Sequence, residues 1–118
     1  MSRSALRTSI IVLGLITALV HLVVLNLGYI RETGSPDVLF TLNGLGYLGL
    51  LVALFAGIPF LAGQRTLVHL AFIAFTAITI LGWVAVGARS ALGYGDKLVE
   101  ILLIIALWMH MRLGPEAA

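Results

Sequence analysis

Asp96, Lys97 and Glu100 stand at the mouth of a long apolar run, and His110 stands near its far end, beside Arg112. His21, Asn43 and His69 interrupt three earlier apolar runs. A charge in hydrocarbon costs at least ~2.5–3.5 kcal/mol, so Glu100, about a turn inside its run, is expected to face protein rather than lipid. With a rise of ~1.5 Å per residue, two polar levels emerge. His21, Asn43 and Glu100 fall toward the side opposite the termini, with Asp96, Lys97 and Asn26 near that surface; His69 and His110 fall on the terminal side.

Three readings of the first group follow. Glu100 bonded to His21 or Asn43 would make an intramembrane ionisable site with protons or a small solute as cargo. The same groups could instead satisfy one another and merely fix which helix faces inward, since such bonds average only ~0.6 kcal/mol. Asp96 and Glu100 could also line the headgroup zone, with Lys97 snorkelling beside them. The second group offers a cofactor site: His69 and His110 at similar depth are what a bis-histidine haem requires. A metal site built from the three histidines is not expected, because His21 lies at another depth.

Four elements must position these residues. Apolar periodicity places spans at about 9–29, 36–61, 66–88 and 94–112, joined by short polar turns in a single domain over 1–118. Ser35, Pro36 and Asp37 read as N-cap, first helical residue and first-turn acid of the second helix. Its centre, Leu42-Asn-Gly-Leu-Gly-Tyr-Leu-Gly-Leu50, is rich in glycine. Gly14 on the first helix and Gly44, Gly46, Gly49 and Gly57 on the second are expected to let helix backbones approach closely. Tyr47 reads as core. The G-x-G-x-x-G formed by Gly44, Gly46 and Gly49 lies mid-span, without the strand–turn–helix context of a phosphate loop.

Composition agrees. Of 118 residues, 61% are hydrophobic and 10% charged, against about 25% charged in soluble domains. The fold class expected is an all-α, membrane-spanning antiparallel four-helix bundle in the cell membrane. Arg3, Arg7, Arg65 and Arg112 on the terminal side outnumber Arg31, Arg89 and Lys97, which places both termini in the cytoplasm. The run from Ile10 to Leu27 exceeds a signal peptide's apolar stretch and lacks a small-x-small cleavage site, so it reads as a retained span. A formal charge of +2, scattered along the chain, argues against nucleic acid. Without cysteine there is no disulfide or thiolate site. No serine has a base at a recognisable spacing, so no enzyme is expected.

The segments His21-Leu … Leu27-Gly28, Leu42-Asn-Gly-Leu-Gly-Tyr-Leu-Gly49, Phe75-Thr-Ala77 … Trp83 and Asp96-Lys97-Leu-Val-Glu100 resemble a group of small four-helix membrane proteins found mainly in archaea and some green non-sulfur bacteria. The resemblance covers about His21 to Leu107. It implies the four-span fold and makes the Asp-Lys element a family feature, but it supplies no reaction. The function expected is that of a non-enzymatic accessory or self-associating membrane subunit, working in the bilayer as a homo-oligomer or in a larger membrane complex. The alternatives are a minimal dimeric transporter or channel using His21, Asn43 and Glu100, and the haem electron carrier.

Overall fold

The computed structural model describes residues 1–115; the last three residues of the expected domain lie outside them. The described residues are all-α. Helix α1 covers Arg3–Thr33, α2 Val38–Phe55, α3 Arg65–Val86 and α4 Ala91–Arg112, with a single 3₁₀ turn at Pro59–Leu61. Helix α1 packs along α4 and α2, and α3 packs along α4 and α2.

The helices depart from the expected spans for local reasons. Helix α1 starts at Arg3 rather than about Ser9, because the Ser2 hydroxyl accepts a hydrogen bond from the Ala5 amide at 3.0 Å and caps it. It continues past Tyr29 to Thr33 and stops at Gly34, whose φ of 84° is the left-handed closing conformation glycine favours. Helix α2 is capped by Asp37, which accepts from the Phe40 amide at 2.8 Å, so Ser35 is not the cap and Pro36 precedes the helix. It ends at Phe55 instead of Leu61, because Gly57 turns left-handed at φ 67° just before Pro59. Helix α4 begins three residues early, at Ala91, where the Ser90 hydroxyl accepts from Gly93 N at 3.0 Å.

A wider π-helical turn at Val20–Leu25 interrupts α1 and contains His21. Helix α2 lies against it at Gly44: an added Cβ there would meet Leu22 Cβ at 2.7 Å and the Ala18 carbonyl oxygen at 3.0 Å. Gly14 seats Leu51, and Gly46 receives the Phe75 ring from α3. Gly49 and Gly57 are not packing glycines, since nothing stands within 4 Å of a Cβ at either; Gly57 serves the helix stop instead.

The distribution of polarity is inverted relative to a soluble domain. Leu6, Ile10, Phe72, Leu103 and Leu107 form the core together with Tyr47, but Thr17, His69, Thr76 and Glu100 are fully buried among them. Leu39, Ile78, Leu81 and Val86 are exposed. Helices α1, α2 and α3 are long and apolar enough to cross a membrane. Helix α4 matches α3 in length at 22 residues but carries Asp96, Lys97 and Glu100 within its span.

Candidate functional site

Glu100 is the centre. Its Oε2 accepts from the Thr17 hydroxyl at 3.0 Å and the Tyr47 hydroxyl at 2.7 Å, and its Oε1 accepts from the Lys97 ammonium. Helices α1, α2 and α4 thus each bring a donor to one carboxylate. A carboxylate accepts about four hydrogen bonds, so three in a closed site leave it well satisfied. Lys97 Nζ also lies 3.3 Å from Asp96 Oδ2, and His21 Nδ1 lies 3.8 Å from that same oxygen. His21 Nδ1 donates to the Thr17 carbonyl at 2.9 Å, which fixes its proton there because a carbonyl oxygen only accepts.

His21, Asp96 and Glu100 therefore do come together, all buried, with ligand atoms within 4.8 Å of one another. Those three could surround a small cation, but the Lys97 ammonium already bonds both carboxylates and fills that role. Lys97 does not snorkel: it is only 6% exposed. Asp96 is equally enclosed by protein. Asn43 does not join Glu100. It donates to the Thr79 hydroxyl on α3 at 2.7 Å, and Thr79 in turn donates to the Phe75 carbonyl at 2.9 Å.

Thr17, Tyr47 and Lys97 are the members that sequence reasoning did not assign to the site. Their signals were present. Thr17 lies one helical turn before His21, Lys97 one turn before Glu100, and a buried tyrosine hydroxyl ordinarily finds a partner.

Beside this network a cleft of about 600 Å³ opens toward the α1–α2 and α3–α4 connections. His21, Asp96 and Lys97 stand on its wall, as do Asn43 and Thr79. Asp96 and Asn43, two of the residues that line it, each hold a buried side-chain oxygen, Oδ1 in both, that has no donor.

The second polar level is a separate cluster. His69 Nε2 and His110 Nδ1 are in direct hydrogen-bond contact at 2.8 Å, with the rings stacked at 5.1 Å between centroids. His69 Nδ1 donates to the Arg65 carbonyl at 2.8 Å, and Arg65 Nη2 donates to the His110 carbonyl at 2.8 Å. Both histidines are buried. The haem expectation does not fit this geometry. An iron and its porphyrin must stand between two axial nitrogens, and here those nitrogens touch each other. Added haemin is expected to give identical absorption spectra with the wild type and with His69→Ala. A Soret shift that depends on His69 would reinstate the haem site.

Comparison with known proteins finds no family model, no curated protein and no solved structure that matches the chain.

Proposed function

We propose that the chain is a non-enzymatic integral membrane protein, an antiparallel bundle whose four helices all cross the bilayer. In this reading α4 spans with its charges turned inward, and the protein serves as a small membrane subunit that binds a partner molecule within the bilayer. The observation that carries it is the Glu100 network: Asp96, Lys97 and Glu100 are all buried, and Glu100 is met by donors from two other helices, while large aliphatic side chains point outward. Such an arrangement suits a hydrocarbon surrounding, where an unsatisfied polar group costs several kcal/mol. A helix of 22 residues is about 33 Å long, enough for the ~30 Å hydrocarbon core.

The geometry favours binding over conduction. Glu100 is sealed behind three donors and does not line the cleft, and Asn43 is bonded elsewhere, so His21, Asn43 and Glu100 do not form one path. In this reading the molecule works as a homo-oligomer or inside a larger membrane complex, with its termini in the cytoplasm.

The absence of cysteine makes the topology directly testable. Single cysteines at Ser2, Ser35, Gly63 and Ser90 in intact cells, probed with a membrane-impermeant maleimide, are expected to react in two classes. Ser35 and Ser90 label from outside, whereas Ser2 and Gly63 label only after lysis. Labelling of Ser90 and Gly63 from one side would show that α3 does not cross and would sink the four-span reading.

A further inference from the structure

We propose that the cleft beside the Glu100 network is a binding site for a lipophilic amine: an apolar molecule whose cationic head donates hydrogen bonds to Asp96 and Asn43. This rests on the membrane-protein reading above and names the class of molecule that the protein takes up.

Two orphan acceptors define the head of the site. Asp96 is 5% exposed; its Oδ2 pairs with the Lys97 ammonium, but its Oδ1 has no donor. Asn43 Oδ1 is likewise without a donor. The Asn43 NH₂ donates to the Thr79 hydroxyl, which itself donates to the Phe75 carbonyl, and this leaves Oδ1 as the unbonded end of the amide. Two acceptors without donors on one cleft call for a ligand that donates, and a buried orphan is costly enough to be rare.

Charge points the same way. The charged side chains on the cleft wall are Asp37, Asp96 and Lys97, a formal excess of one negative charge, and Glu100 behind them adds another. A monocation compensates that excess, whereas a carboxylate or phosphate head would increase it. The rest of the wall selects the tail. Leu39, Leu42, Ile78 and Val86 line the cleft and are themselves exposed, so an aliphatic or aromatic body would enter directly from the hydrocarbon. Gly82 also lines the cleft, with nothing within 4 Å of where its Cβ would stand, and this keeps the space open.

The test uses the full chain in phosphatidylcholine nanodiscs and a decylamine carrying a dansyl group at the end remote from the amine, with the matching alcohol and carboxylate as comparators. Saturable fluorescence over empty discs is expected for the amine, weaker for the alcohol and absent for the carboxylate. Asp96→Asn is expected to weaken the amine by at least about tenfold, since bonds to charged groups are the stronger class. Gly82→Leu fills the cleft without touching the charged network and is expected to remove the saturable signal. Circular dichroism confirms helix content in each variant; if Asp96→Asn does not fold, Asn43→Ala takes its place. No saturable signal over empty discs, equal binding of the carboxylate, or amine binding unchanged in these variants would each overturn the site. The cysteine-labelling pattern is independent of all these outcomes, so loss of the amine site and loss of the four-span topology are separately visible.

Discussion

Replacing Lys97 by Met is expected to destabilise the protein by about 3–5 kcal/mol, the range for removing one partner from a buried ion pair. The ammonium bonds Glu100 Oε1 and lies 3.3 Å from Asp96 Oδ2, in a site where Glu100 is fully enclosed. Without it two carboxylates confront each other with no cation between them. The ion pair itself need not be worth that much; the cost lies in the charges left behind. The sign of a double variant separates the two ideas. Glu100→Gln added to Lys97→Met removes one of the stranded charges and keeps an acceptor for Thr17 and Tyr47, so it is expected to recover much of the loss. Unfolding in mixed micelles, followed by tryptophan fluorescence, measures both. A Lys97→Met protein as stable as the wild type would mean that the network contributes little to holding α1, α2 and α4 together.

Gly44→Val is the second large effect, with an expected loss of about 1–3 kcal/mol from overpacking. The first added carbon would collide with Leu22 Cβ and with the backbone at Ala18 and Leu22, and backbone cannot rotate away as a side chain can. The helices must separate at the π-turn that presents His21. Gly49→Ala is the matched control. The space around it is empty, and replacing glycine by alanine in a helix is favourable by about 0.4–1 kcal/mol, so its unfolding midpoint should stay level or rise. If Gly44→Val and Gly49→Ala behave alike in the same micelle titration, the close approach of α1 and α2 at Gly44 is not a determinant of stability.

The two glycines also show how far the linear sequence carries. Glycine spacing along α2 marks residues that permit close approach, yet Gly44, Gly46 and Gly49 look equivalent on paper. Only the placement of Leu22 and Phe75 against the first two, and of nothing against the third, distinguishes them. Helix ends behave similarly. Asp37 and Ser35 are both good caps by type, and the choice of Asp37 came with Asn26, whose Oδ1 accepts from the Asp37 amide at 2.9 Å and fixes the turn. The early start of α1 rests on Ser2, a short-range signal that the apolar count over-ruled.

What the sequence determined by itself is the all-α class, the apolar, membrane-spanning length of α1, α2 and α3 (the fourth expected span, α4, does not meet that measure) and the burial of Glu100, because composition and the cost of a charge in an apolar run depend on no particular partner. The tertiary structure decided which groups answer that charge. It brought Thr17 and Tyr47 to Glu100, sent Asn43 to Thr79, and set His69 against His110 with no room for a metal between them. Those outcomes depend on the rotation of each helix about its own axis and on a π-turn that shifts the phase of α1 at His21. A residue's type and spacing fix its height along a helix; the direction it faces is settled only when the neighbouring helices pack.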